Sequence, residues 1–231
     1  AGHGAAAGLP TGGTVGVIDG GVPPSARIVA QAGFARGAPH ADAHAQAIAS
    51  LLRGAGTARI AVADVYGTDP AGGSALALAR ALGWMAVQRV NVVSISLVGP
   101  PNPLLARAVS AAQAKGLHLV AAVGNDGAAA PPAYPASYPG VIAVTGVDGH
   151  GRGLFEAGRA LHLDYAAPGA ELAAIGLDGR RTALRGTSFA APLAAARIAA
   201  NGDLQAVDRE AVSAGARTGR GIVCGWCRTG L

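Results

Sequence analysis

The feature that most constrains this chain is an alternation. Short apolar runs rich in β-branched residues recur between longer stretches with helical spacing. Thr14–Asp19, Arg59–Tyr66, Val90–Leu97, Leu117–Val123 and Val141–Val147 read as strands. Ala41–Leu52, Ser74–Gln88 and Pro103–Lys115 read as helices, the second opened by a capping serine and the third stopped by Gly116. Strand, helix, strand in repetition predicts a three-layer α/β fold, a mainly parallel central sheet flanked by helices. Strands this uniformly apolar are buried on both faces. In open sheets of this kind, sites lie beyond the carboxyl ends of strands. That rule selects Asp19, the segment from Ser96 to Gly99, and Gly124-Asn125 before any motif is invoked.

Composition narrows the class. The 231 residues suit one large domain, and 51 % apolar residues exclude a disordered chain. Aromatics are only 4 %, so the core must be built from small side chains that let elements approach closely. Residues 1–13 read as a flexible tail of a mature or trimmed chain, ahead of a single domain over 14–231. No apolar run reaches the roughly 18 residues of a membrane span. The net charge of +5 rests almost wholly on scattered arginines, with no basic run interleaved with aromatics, so nucleic acid is not an expected partner. Cys224-Gly225-Trp226-Cys227 reads as a local disulfide or two inert thiols, in preference to a redox or metal site.

The chemistry centres on Ser188, in Gly186-Thr187-Ser188-Phe189-Ala190-Ala191-Pro192. A glycine turn feeds directly into an Ala-rich helix. The serine therefore sits near a helix N-terminus, where free N–H groups and the dipole favour negative charge. Taken alone it reads first as a plain helix N-cap, the commonest job for such a serine. Pro192 is expected near the helix start, where its missing N–H costs least.

Three stretches together resemble the subtilisin-like serine proteases, the subtilases. The Ser188 stretch resembles that family's nucleophile motif. Ala122-Val123-Gly124-Asn125-Asp126-Gly127 resembles its oxyanion-asparagine motif, and Val15-Gly16-Val17-Ile18-Asp19-Gly20-Gly21 the strand ending in its catalytic aspartate. The chain order Asp, His, Ser is the family's. The resemblance runs from about Thr14 to Ile198 and implies a subtilisin-like fold and a serine endopeptidase. It assigns Asp19, His44 and Ser188 as a catalytic triad and Asn125 to the oxyanion hole. The histidine motif departs most. Asp42-Ala43-His44-Ala45-Gln46-Ala47-Ile48-Ala49 keeps only the histidine and the helical character, and His40 is a rival, set in the preceding loop. Gly20 also stands where a Thr or Ser is common.

For substrate, the resemblance points to Ser96, Leu97, Val98 and Gly99 as a segment that pairs with an extended peptide. Ala122, Ala133 and Ala136 are expected to wall the pocket for the residue before the scissile bond. Val98, Ala133 and Ala136 replace common glycines, which predicts a shallower pocket unless the backbone moves outward. No cofactor is expected, nor calcium: no Asp, Glu or Asn lies between His44 and Asp64. Protein or peptide substrates and an N-terminal pro-segment inhibitor are the partners the resemblance implies, with a secreted or periplasmic location. A catalytically silent peptide binder and an acid-active relative of the sedolisin type are the competing readings. Retention of His44 and Asn125 speaks against the latter.

Overall fold

The computed structural model describes residues 13–69, 72–215 and 217–230. The expected tail lies outside these residues, apart from Gly13. Seven strands form one sheet: β1 (Thr14–Asp19), β2 (Ala30–Gly33), β3 (Arg59–Asp64), β4 (Val92–Ile95), β5 (His118–Ala122), β6 (Ile142–Val147) and β7 (Tyr165–Pro168). Their order is β2-β3-β1-β4-β5-β6-β7, and every neighbouring pair is parallel. The helices are α1 (Ala43–Gly54), α2 (Ala75–Val87), α3 (Pro103–Ala114), α4 (Thr187–Asn201) and α5 (Leu204–Glu210). An antiparallel hairpin, β8 (Leu172–Ile175) with β9 (Arg181–Leu184), stands apart from the sheet. The three-layer α/β fold expected from the alternation is the fold observed. Among the described residues no helix is long and apolar enough to cross a membrane.

Period-2 alternation divides the strands between two cores. Val15, Val17, Val92, Val120 and Ala122 face one cluster with α1 and α4 residues, including Ile48, Leu52 and Leu193. Ile18, Val93, Ile95, Leu119 and Ala121 face the other, with Leu78, Leu82 and Val109 of α2 and α3. Both clusters are buried, which is why the strands read as continuous apolar runs.

Two sheet strands carry too weak a signal to be read from sequence. β2 is Ala30-Gln31-Ala32-Gly33, an edge strand with no β-branched residue and a half-open face. β7 is Tyr165-Ala166-Ala167-Pro168, alanine ending in a residue that cannot donate to a ladder. At α1 the expected start at Ala41 gives way to Ala43. Ala41 pairs with Gly21 beside the end of β1. Asp42 then caps the helix, its carboxylate accepting the N–H groups of His44 at 2.8 Å and Ala45 at 3.0 Å.

Helix α4 is apolar around most of its circumference, its buried Arg197 being paired with Glu210 of α5 at 2.7 Å, and buried residues run from Thr187 through Ala199 apart from half-buried Ser188. Pro192 lies deeper than expected, at the sixth helical position. Its missing N–H leaves the Ser188 carbonyl without its helical donor. The Ser96 hydroxyl takes that place, donating to the Ser188 carbonyl at 2.8 Å.

Because Leu193 is fully buried between α4 and the sheet, Leu193→Ala should lower stability by about 2–5 kcal/mol. At about 2–4 °C per kcal/mol for a domain of this size, thermal melting should read a clear fall in Tm.

Candidate active site

The carboxyl ends of β1, β4 and β5 deliver three groups to one crevice. The sheet order reverses direction at β1, since β3 and β2 lie on one side and β4 onward on the other. Asp19 is the last residue of β1, Ser96 follows β4, and Asn125 lies three residues beyond β5. Helices α1 and α4 pack side by side under the same face and bring His44 and Ser188 to that edge.

Asp19 is 2 % exposed and accepts the Gly20 N–H at 2.8 Å. His44 Nδ1 lies 3.0 Å and 3.1 Å from its two carboxylate oxygens. Nδ1 then carries the proton and donates, which leaves Nε2 free to accept one. The Phe189 ring packs against the imidazole at a centroid distance of 5.0 Å, tilted by 46°. Burial alone would lower the imidazole pKa. The hydrogen bond and charge of Asp19, with the charge of Asp42 added, outweigh it and hold the pKa above 6.5. His40 is exposed in the loop before α1, where its backbone N–H donates to buried Asp64 at 2.7 Å. Of the two histidines, it is His44 that meets Asp19.

Ser188 is the second residue of α4, among the helical N–H groups that no turn of helix can satisfy. Its hydroxyl donates to the Ser96 carbonyl at 3.3 Å. Asn125 reaches across from the β5 end. Its Oδ1 accepts the Thr187 N–H at 2.9 Å, standing in for the side-chain cap that Gly186 lacks. This engagement leaves Nδ2 as the amide's donor group. Gly186 has φ 137° and lies against the same amide, a place where a Cβ would sit 3.2 Å from Nδ2. The Thr187 hydroxyl completes the junction by donating to the Gly124 carbonyl at 3.0 Å.

The expected peptide-binding segment is less regular. Gly99 pairs with Tyr134 through two backbone hydrogen bonds of 2.8 Å and 3.1 Å. Among the described residues, the backbone groups of Leu97 and Val98 make no backbone hydrogen bond. Val98 is 40 % exposed, and its side chain lies over Gly124. Ala133 is half-buried. Ala122 and Ala136 need correction as direct contacts. Both are 0 % exposed, because Ala122 faces the α4 core and Ala136 the α3 core, so they back the cleft without touching its contents.

Several participants escaped the sequence reading. Asp42 had a signal in its N-cap position. Thr187 and Phe189 lay inside the quoted motif without a role. The β8–β9 hairpin had none, yet Leu177 and Leu184 join His44, Ala47 and Phe189 around a cavity of about 410 Å³. One oxygen or nitrogen from each of Asp19, Asp42 and His44 lies within 4.8 Å of the others, a spacing that a metal could use. The imidazole Nδ1 is already committed to Asp19, however. α1 runs unbroken to Gly54 and β3 starts at Arg59, with no carboxylate or inserted loop between them. Cys224 and Cys227 form a local disulfide, the first of the two alternatives for that motif.

Residues 11–202 match the profile of the subtilase family. Subtilisin Savinase of Lederbergia lenta is 31 % identical over 193 residues, covering 77 % of this chain and 71 % of that protein. An alkaline protease of Alkalihalobacillus alcalophilus is equally similar over the same share of this chain, which spans only 50 % of its length. Among solved structures, the prenylagaramide maturation protease PagA superposes with a TM-score of 0.76 over 96 % of this chain and 93 % of its own, at 22 % identity, a likeness of fold.

The site makes a direct spectroscopic expectation. The His44 imidazole should titrate above 6.5 when followed by NMR, and Asp19→Asn should bring it down. The raised value also means that the Asp19–His44 pair adds stability below about pH 6.5, an increment lost as pH rises through the folded pKa. An imidazole titrating at or below 6.5 would contradict the geometry.

Proposed function

The chain belongs to the subtilase family of serine endopeptidases, and on that premise we propose that it cleaves peptide bonds through an acyl-enzyme on Ser188. The observation that carries this reading is the 3.0 Å contact of His44 Nδ1 with buried Asp19, at the mouth where α4 presents Ser188. The Ser188 hydroxyl leaves the Ser96 carbonyl and turns to His44 Nε2, which takes its proton as the oxygen attacks the peptide carbonyl. Asp19 holds the tautomer and stabilises the imidazolium. The Asn125 Nδ2 and the Ser188 N–H hold the oxyanion, the amide because its own oxygen is tied to Thr187. His44 then protonates the leaving amine, and water releases the acyl group.

The extended substrate pairs with the free backbone of Leu97 and Val98, an added strand on the crevice edge. Val98 lies across Gly124, which favours small side chains just before the scissile bond. The protein is read as working without calcium. Export is inferred from family membership, and the Cys224–Cys227 disulfide fits an oxidising compartment. A pro-segment inhibitor would occupy the same cleft.

Ser188→Ala should cut peptide hydrolysis by several orders of magnitude, because triad members act as a unit. Asn125→Ala should lower kcat about 10²–10³-fold with little change in KM, the size of effect recorded for this family's oxyanion asparagine. Near-normal turnover of Ser188→Ala in a peptide assay overturns the mechanism.

A peptide library should show Ala, Ser or Val preferred before the cleaved bond, and Val98→Gly should admit larger residues. A strong preference of the unmodified enzyme for Phe or Tyr contradicts the role given to Val98.

A further inference from the structure

Asp42 has a carboxylate that capping alone does not explain. Asn and Ser cap a helix as well as Asp does. A carboxylate at this place faces a like charge, since an oxygen of Asp42 and one of Asp19 lie within 4.8 Å of each other and of a ring nitrogen of His44. Two carboxylates around one imidazole are unfavourable when the ring is neutral and favourable once it is protonated. The backbone makes special room for the second one. Gly20 follows Asp19, and a Cβ there would come within 2.6 Å of the Asp42 Cβ. The Gly20 that departs from the family's Thr or Ser is thus the residue that admits Asp42.

The other groups around the imidazole do not cancel this charge. Asp19 comes from β1. Tyr66, just beyond β3, is pushed up to about 12 by burial first and then by the charges of Asp19 and Asp42, so it stays neutral. Asp178, on the turn between β8 and β9, lines the same cavity as His44 and adds negative charge. From α4 the ring meets Phe189, which is uncharged. Among the described residues Asp42 has no cationic partner within salt-bridge distance.

We propose that Asp42 is a positioning residue for His44 in two senses. It sets the imidazole at the first turn of α1, and its charge stabilises the imidazolium formed as Ser188 loses its proton. The inference rests on His44 being the general base. A stabilised imidazolium makes a stronger base, with a higher plateau rate that is reached at a higher pH.

The variant that isolates the charge is Asp42→Asn, with Asp42→Ser as a second uncharged cap. The first measurement is the His44 titration by NMR, in protein also carrying Ser188→Ala to prevent self-digestion. Both substitutions should lower the imidazole pKa by about 0.5–1, an exposed fraction of the shift a nearby charge can cause. The second is kcat/KM against pH in the otherwise unaltered enzyme. The plateau should fall about 3–10-fold, while the acid limbs of variant and parent converge, because the same charge stabilises the resting imidazolium and the transition state. A residue that only caps would leave both the plateau rate and the midpoint unchanged in these two variants, since Asn and Ser cap equally well. An unmoved His44 pKa in both variants, with Tm preserved, overturns the proposal. The general-base reading fails separately, if His44→Ala keeps its activity, and the NMR titration does not depend on it.

Discussion

Everything at the crevice depends on helix α4 being buried on all sides. A helix can lie almost wholly inside a domain only if most of its circumference is apolar and small; the alanine-rich segment from Ala190 to Ala199 meets that demand, its one charge, Arg197, being paired with Glu210 of α5. Packed against β4, β5, β6 and β7 on one face and α1 on its flank, α4 has no freedom to slide. Its N-terminus is thereby placed at the carboxyl edge of the sheet, and Ser188 with it. The aromatic-poor composition has its purpose in this contact: larger side chains would hold α4 and the sheet further apart.

The site is then assembled mostly from backbone groups that regular structure leaves unsatisfied. The first turn of α4 has N–H groups with no helical acceptor, and Asn125 answers one of them through Thr187. Pro192 frees the Ser188 carbonyl, and Ser96 answers that. The two segments that follow β4 and β5 are tied to the first turn of α4 by four hydrogen bonds: Ser96 and Ser188 each donate a hydroxyl to the other's carbonyl, and Thr187 donates its N–H to Asn125 Oδ1 and its hydroxyl to the Gly124 carbonyl. Such a junction leaves few rotations open.

Electrostatics adds a gradient across the imidazole. Asp19 is buried and hydrogen-bonded directly, so its interaction is strong and little screened. Asp42 is half-exposed and touches the ring only through space, so its influence is weaker and sensitive to salt. Gly20 links the two, since its bare Cα allows the N-cap to approach the strand end.

The sequence by itself determined the layered fold, because alternation of buried strands and amphipathic or apolar helices is written in side-chain periodicity. It also singled out the strand ends at Asp19 and Asn125, and Asp19, Asn125 and Ser188 were nameable from their local motifs, with His40 left as a rival to His44. Only the tertiary structure decided what no local pattern encodes. Edge strand β2 and alanine strand β7 exist because neighbours supply their hydrogen bonds, not because their residues prefer extension. Ala122 and Ala136 are close in sequence to site residues yet point into the cores, since strand alternation and loop packing set direction residue by residue. The hairpin wall beside His44, the choice of His44 over His40 at Asp19, and the approach of Asp42 to the imidazole all join residues far apart in the chain or on different elements. Distances of that kind are set by packing, and packing is a property of the whole fold.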